Sequence, residues 1–126
     1  MKCLFLFINL LNFLPLFNLS NKLEKECVYE DVIAVNNDSY VGLYGTDSEL
    51  VINDEIFVLN GYTVNTLVDS INNIYLVCNN LNSSTIIIFN KFSKTYELFC
   101  LEDTYIDKIY DINKSIFIIV SLYQMV

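Results

Sequence analysis

The apolar and polar positions of residues 64–79 recur 42 positions later, in residues 106–121. In this alignment Asp69 falls on Asp111, at the end of the first segment of each copy. Each copy consists of a short alternating segment, a polar turn and an unbroken apolar run. Self-similarity of this kind indicates a structural repeat, so the strands are best predicted one repeat at a time.

Short runs rich in Val, Ile, Tyr and Phe, separated by Asn, Asp, Ser and Gly, occupy the chain from residue 31 onward. This alternation of composition favours β-strands joined by tight turns. The run at 86–89 is apolar at every position, which is typical of a strand covered on both faces. The pattern predicts strands at 32–35, 40–44, 49–52, 56–59, 64–69, 74–79, 85–90, 95–101, 106–112 and 116–122.

Four strands in about 40 residues is the spacing of one blade of a β-propeller. We therefore predict an all-β fold, a partial β-propeller of about two and a half four-stranded antiparallel blades. The first two units are complete, whereas the unit that begins at Ile106 supplies two strands. An open β-sandwich built from the same strands is the alternative.

The N-terminal segment differs from the rest of the chain. Lys2 precedes an interrupted apolar run at 4–19, which is shorter than the about 20 residues that a membrane-spanning helix needs. This arrangement predicts a signal helix at 1–20 that is removed by cleavage at its end. A charged hinge at 21–30 and a propeller-like β domain at 31–126 follow. An uncleaved signal anchor and an amphipathic helix are the alternatives.

The apolar run at 86–89 and the turn after it resemble the third strand and following turn of a WD-type propeller blade. Phe89-Asn90 stands where that family has Trp-Asp, and Lys94 stands where its turn glycine lies. Gly45-Thr46-Asp47 resembles the small-residue turn that precedes this strand in the first unit. The chain has no Trp and no His, so the His–Asp network of true WD repeats cannot form. Quinoprotein-like propellers match the pattern equally well.

A second resemblance lies just after the predicted signal helix. Val28-Tyr29-Glu30-Asp31 is similar to the start of the large luminal subunit of the endoplasmic-reticulum membrane protein complex. That family begins with a signal peptide, a short V-Y-E-D-like segment and a quinoprotein-like propeller. The resemblance implies a scaffold and client-contact role in membrane-protein insertion, without catalysis. The 126 residues do not reach the later luminal domain or the membrane anchor of that subunit.

Composition and charge limit the classes of partner that the chain can bind. The chain is 54 % hydrophobic and 17 % charged, which favours a folded domain over a disordered one. The net charge is −8, and the sequence contains no Arg. Because neutralisation of phosphates by Lys and Arg supplies most nucleic-acid affinity, we expect no nucleic-acid partner. The same charge argues against binding to an anionic membrane surface.

The absence of histidine excludes Ser-His and Cys-His pairs and the commonest zinc sites. Paired carboxylates are the remaining catalytic option, and Asp69 and Asp111 are the candidates because they are repeat-equivalent. The other interpretation is that both are turn residues that bind local backbone N–H groups. The acidic turns at 53–55 and 102–103 lack the spacing of a calcium loop. We therefore expect no metal and no cofactor.

The cysteines do not form a disulfide framework. Removal of Cys3 with the signal helix leaves Cys27, Cys78 and Cys100, an odd number. Cys78 and Cys100 lie two strands apart in the predicted unit, a separation of about 9–10 Å. Since a disulfide requires Cα atoms within about 7 Å, we expect buried free thiols that pack as small apolar side chains.

Four Asn residues, at positions 18, 37, 82 and 113, begin an Asn-x-Ser/Thr sequon. The last three fall in predicted turns, where a glycan can be attached, so we predict glycosylation at Asn37, Asn82 and Asn113. Chance occurrence in an Asn-rich chain is the alternative.

The last predicted strand, 116–122, forms an apolar edge without the Lys or Pro that normally guards one. We expect this C-terminal β edge to be covered by another copy of the chain, by a partner strand or by further blades. The function that follows is a non-enzymatic protein-interaction module of the secretory pathway, in the endoplasmic-reticulum lumen or secreted. A secreted carboxylate-dependent hydrolase fragment and a structural surface protein are the alternatives.

The signal helix gives a direct test. Fusion of residues 1–20 to a cytosolic reporter should direct that reporter into the secretory pathway, because a short apolar run behind a positive charge is what the translocation machinery selects. Fractionation of expressing cells measures the outcome, and a reporter that stays in the cytosol would contradict the prediction.

Overall fold

The computed structural model describes residues 29–122. The predicted signal helix, Cys27 and all of the predicted hinge except its last two residues lie outside this part of the chain. The described residues form ten strands. They are β1 (Asp31–Asn36), β2 (Ser39–Tyr44), β3 (Asp47–Ile52), β4 (Glu55–Leu59), β5 (Thr66–Asp69), β6 (Asn73–Asn79), β7 (Ser83–Asn90), β8 (Tyr96–Glu102), β9 (Thr104–Ile112) and β10 (Ser115–Leu122).

The strands form three antiparallel sheets in chain order. Sheet I contains β1-β2-β3-β4, sheet II contains β5-β6-β7-β8, and sheet III pairs β9 with β10. Each predicted strand is present to within two residues at either end. The all-β prediction is therefore confirmed, and no helix occurs between residues 29 and 122.

Two-residue turns of Asn and Asp or Lys connect several of the strands. Asn53 and Asp54 have φ values of 48° and 69°, and Asn113 and Lys114 have φ values of 51° and 67°. Two successive left-handed residues make a type I′ turn, whose twist matches that of the flanking strands. Lys94, at the predicted glycine position, is also left-handed, with φ of 59°.

Sheets I and II pack face to face. Val41 and Leu50 of sheet I form one buried cluster with Leu76, Ile87 and Phe89 of sheet II. Since alternate side chains of a strand point to opposite faces, these residues share the facing sides of the two sheets. This cluster is the larger of the two that join sheets.

The opposite face of sheet II packs against sheet III. Val77 and Ile86 of sheet II are buried with Ile106 and Ile109 of sheet III. Sheet II is thus covered on both faces. The prediction made for the continuously apolar run at 86–89 is confirmed, because three of its four side chains are buried and Ile88 packs at the edge of the second cluster.

A polar joint connects sheets II and III within the apolar surroundings. The Ser84 hydroxyl, fully buried, donates to the Thr104 carbonyl at 2.7 Å and accepts from the Ile106 amide at 3.3 Å. The Asn79 side chain donates to the Ile106 carbonyl and accepts from its amide, both at 3.0 Å. The side chains therefore satisfy the backbone of Ile106 at the point where a new sheet begins.

A hydrogen bond equivalent to the one between Ser84 and Ile106 joins sheets I and II. The buried Ser48 hydroxyl accepts from the amide of Val64 at 3.1 Å. Val64 is the repeat equivalent of Ile106, and Ser48 and Ser84 both belong to the third strand of a sheet. A buried polar group costs free energy unless it is hydrogen-bonded, so these joints favour one position of each sheet on the next.

The outward face of sheet I, formed by residues such as Tyr40, Gly42 and Val51, is covered by Tyr29. A Cβ atom added to Gly42 would lie 2.5 Å from the Tyr29 ring, so the ring occupies the space where a side chain would stand. The Tyr29 hydroxyl donates to Glu49 at 2.6 Å. Burial and this carboxylate raise the pKa of the Tyr29 phenol well above its usual value. Tyr29 and Glu30, placed in the predicted hinge, thus pack on the folded domain.

The Ser84 joint can be tested by substitution. Ser84→Ala should lower the free energy of unfolding by about 1–3 kcal/mol, because the Ile106 amide and the Thr104 carbonyl each lose a buried partner. Urea denaturation of the full chain measures the change. Ser83→Ala, one residue earlier and half-buried, is the matched control and should stay within about 0.5 kcal/mol of the parent. Equal effects of the two substitutions would contradict this role.

Candidate functional site

Side-chain contacts between neighbouring sheets occur at the end of the sheets that carries the hairpin turns β1–β2, β3–β4, β5–β6, β7–β8 and β9–β10. Successive antiparallel hairpins place these turns at one end of their sheets. Lys91, Lys94 and Lys114 all lie in these turns, which are joined across sheets by hydrogen bonds and ion pairs. The remaining lysine of the described residues, Lys108, lies in β9.

A cleft of about 450 Å³ opens at this end between sheets I and II. Its apolar lining consists of Ile52, Phe57 and Ile74. The polar lining comes from amide, hydroxyl and charged groups, at Asn36, Asp38, Ser39, Asn53, Glu55, Lys91 and Lys94. The combination of apolar and polar groups is typical of ligand clefts, although both lysines are already engaged.

Lys91 is held by sheet II itself. Its Nζ lies 2.5 Å from Asp69 Oδ1 and donates to the Ser70 carbonyl at 2.5 Å. Lys94 reaches across the cleft and pairs with Glu55 of sheet I at 2.7 Å. Both pairs retain solvent exposure, so each contributes modestly to stability. An anionic ligand would have to displace Asp69 or Glu55 to use either lysine.

Asp69 and Asp111 make contacts between sheets. Asp69 Oδ2 accepts from the Asn36 side-chain amide of sheet I at 3.2 Å. Asp111 accepts from the Ser70 hydroxyl, next in sequence to Asp69. Both hydrogen bonds are made to side chains and not to the local backbone N–H groups of the turn-residue interpretation. The two aspartates occupy equivalent positions, and each binds a side chain at the end of the preceding first strand.

The described clefts do not bring the two aspartates together. Asp111 lines a smaller cleft of about 140 Å³ with Ser70, Tyr75 and Lys114. Asp69 lines neither this cleft nor the larger one. An acid–base pair of carboxylates needs both groups to face one substrate, and these two aspartates face different neighbours. Within residues 29–122, no group of three or more His, Cys, Asp or Glu side chains could hold a metal ion.

The two described thiols differ in exposure. Cys78 is buried, and burial raises its pKa to about 12, so the thiol stays protonated and unreactive near neutral pH. Cys100 is exposed, so the prediction of a buried thiol is wrong for this residue. It lies on β8, an edge strand of sheet II whose side chains are mostly exposed. Both thiols are free, in agreement with the predicted strand spacing.

The three predicted glycosylation residues, Asn37, Asn82 and Asn113, are exposed in turns. Asn37 and Asn113 lie at the end of the sheets that carries the cleft, and Asn82 lies in the turn between β6 and β7. Glycosylation of these residues stays a prediction.

The outer face of sheet III exposes a group of large apolar side chains. It is defined here by six side chains that alternate with the buried ones, namely Tyr105, Lys108, Tyr110, Ile112, Phe117 and Ile119. The five uncharged members are between 39 % and 53 % exposed. Beside them, among residues 29–122, β10 pairs with β9 alone. An apolar sheet face next to an unguarded edge is the usual signature of an interaction surface.

The equivalent surface of sheet II is covered. Phe117 of β10 corresponds to Tyr75 of β6, and Ile119 corresponds to Val77, in the 42-residue repeat. Tyr75 and Val77 belong to the cluster that sheet III buries with Ile116 and Ile118. The outer face of sheet III is thus the repeat equivalent of a face that receives a further sheet elsewhere in the same molecule.

Several important residues carry no local signal in the sequence. Glu55 and Lys91 find their partners across the chain, and spacing does not predict such contacts. The Ser48 and Ser84 joints do have a signal, since each is a serine early in the third strand of its unit. An alignment of the first four-strand unit on the second, which pairs β3 with β7, could have found them.

Comparison of the chain with protein-family models, with curated proteins and with solved structures found no match. The described residues also contain no helix long and apolar enough to cross a membrane.

The contacts of the aspartates predict the size of their mutational effects. Asp69→Ala and Asp111→Ala should each lower the free energy of unfolding by about 1 kcal/mol, since each removes a partly exposed side-chain contact between sheets, and Asp69→Ala also removes the solvent-exposed ion pair with Lys91. Chemical denaturation measures the effect. Glu97→Ala, on the exposed β8, removes the same charge and should change the free energy by less than about 0.5 kcal/mol. Aspartate variants no less stable than this control would contradict the prediction.

Proposed function

We propose that this chain is a non-enzymatic protein-interaction module of the secretory pathway, and that its contact surface is the outer face of sheet III with the adjoining β10 edge. The observation that carries the proposal is the exposure of five large side chains on one face, each between 39 % and 53 %. The largest apolar patch on the surface of a protein is often a functional contact site.

The edge of β10 adds backbone groups to this surface. The strand is eight residues long, and no Lys or Pro occurs in it. Side-chain charges and prolines are the usual means by which proteins block pairing at an edge. A partner that packs on the outer face can therefore also pair with β10 through main-chain hydrogen bonds.

Within the same proposal, the three sheets are consecutive blades of a partial β-propeller. Support comes from the four-strand antiparallel order of sheets I and II and from the position of β5 beside both β1 and β9. First strands of neighbouring blades lie next to each other around a propeller axis. The likeness of Val28-Tyr29-Glu30-Asp31 to the start of the large luminal subunit of the endoplasmic-reticulum membrane protein complex favours a scaffold role.

The side-chain chemistry supports an interaction role over hydrolysis. Asp69 is occupied by Lys91 and Asn36, and Asp111 is occupied by Ser70. The N-terminal apolar run and the three exposed sequon residues support the proposed compartment. These features together are consistent with a module that holds other proteins.

Site-specific photocrosslinking tests the proposed surface. Replacing Phe117 with benzoylphenylalanine keeps an aromatic side chain on the outer face, and irradiation of cells that express the full chain should yield protein adducts. The matched control carries the same group at Leu81, which is 89 % exposed in the β6–β7 turn. Denaturing gels and mass spectrometry identify the adducts. Adducts at neither position, or equally at both, would contradict the assignment of this surface.

A further inference from the structure

We infer that the outer face of sheet III binds the outer face of sheet III in a second copy of this chain, so that the protein forms a two-fold symmetric dimer. The inference rests on the proposed function, because it names the partner of the same surface. The evidence for it is the face-to-face packing of sheet I on sheet II and of sheet II on sheet III within one chain.

In sheets I and II, equivalent residues of the second strand face the next sheet along the chain. Val41 and Leu43 of β2 pack towards sheet II, and the equivalent Tyr75 and Val77 of β6 pack towards sheet III. The equivalent positions of β10 are Phe117 and Ile119, which are about half exposed. In both packed cases the occupant is another sheet of this same chain. The chemistry that fits the remaining face is therefore an apolar β-sheet face of the same composition.

The other end of the stack does not offer such a face. Tyr29 covers the outward face of sheet I and fills the space above Gly42, with Tyr40 and Val51 buried beneath it. A head-to-tail contact from sheet III to sheet I of the next copy would have to pack over this ring. The outer face of sheet III has no such cover among the described residues, and pairing it with itself covers both copies at once.

The charges on this face suit self-association. The molecule carries a net charge of −8, which opposes contact between copies over most of the surface. The outer face carries Lys108, and the adjacent bulge residue Asp107 accepts from the Ser121 hydroxyl on that face. The local charge is thus balanced, and a two-fold axis can bring unlike charges of the two copies towards each other.

The size of the face is sufficient for a modest dimer. Five large side chains that are about half exposed correspond to roughly 500 Å² per copy, given about 150–250 Å² for each when fully exposed. Two copies would bury roughly 1,000 Å², the lower limit for a specific interface. We therefore expect a reversible dimer whose population depends on protein concentration.

Sedimentation velocity of the purified full chain over a range of concentrations is the first measurement. The wild-type chain should sediment as a dimer. Phe117→Glu should raise the dissociation constant of the dimer at least about tenfold, as expected for the loss of an aromatic contact within the interface. Leu81→Glu introduces the same charge at an exposed turn and should leave the dimer unchanged. A wild-type monomer at every concentration, or a species larger than a dimer, would overturn the inference.

A charge exchange gives a second test that leaves the apolar side chains intact. Asp107→Lys and Lys108→Glu both alter exposed residues. The first variant carries two positive charges at positions 107 and 108, and the second carries two negative charges there. Each variant alone should be a monomer, and an equimolar mixture should restore a dimer that contains one copy of each. Failure of the mixture to associate, or dimers from either variant alone, would overturn the two-fold contact.

The photocrosslinking experiment separates this inference from the proposed function. An adduct at position 117 with twice the mass of the chain supports both. An adduct with a different protein, together with a monomeric wild-type chain in solution, overturns the dimer and leaves the interaction module in place. No adduct and no dimer would overturn both.

Discussion

The structure depends on the burial of both faces of sheet II. Leu76 and Ile87 face sheet I, and Val77 and Ile86 face sheet III. A sheet with no polar face needs a layer on each side, so sheets I and III are both required for sheet II to be stable in water. This constraint makes the described residues one interdependent stack, in which loss of either outer sheet exposes the centre.

Polar contacts determine where each layer sits. Apolar packing is non-directional, so it leaves the position of one sheet on the next less sharply defined than hydrogen bonds do. The hydroxyls of Ser48 and Ser84, held at the amides of Val64 and Ile106, have one position that satisfies them. Asp69 and Asp111 add a second set of contacts between neighbouring first strands. The repeat thus conserves both the apolar layers and the contacts that align them.

The sequence predicted the strands well because their signal is local. Runs of β-branched and aromatic residues between Asn-rich turns define each hairpin, and turns such as Asn53-Asp54 follow from the tolerance of these residues for left-handed backbone. The exposure of Cys100 could not be predicted in this way. It depends on the position of β8 at the edge of sheet II, where most side chains of the strand are exposed. The partners of Lys91 likewise depend on the tertiary fold.

The ring of Tyr29 above Gly42 gives the stack two chemically different ends. At sheet I, a tyrosine from outside the sheet takes the place of a further layer, and its hydroxyl is tied to Glu49. At sheet III, no described residue plays this part. Proteins whose two ends are both adhesive and complementary polymerise into open fibres, whereas closed contacts between like surfaces end at a defined number of copies. The Tyr29 ring thus occupies the face of sheet I on which a further sheet would have to pack.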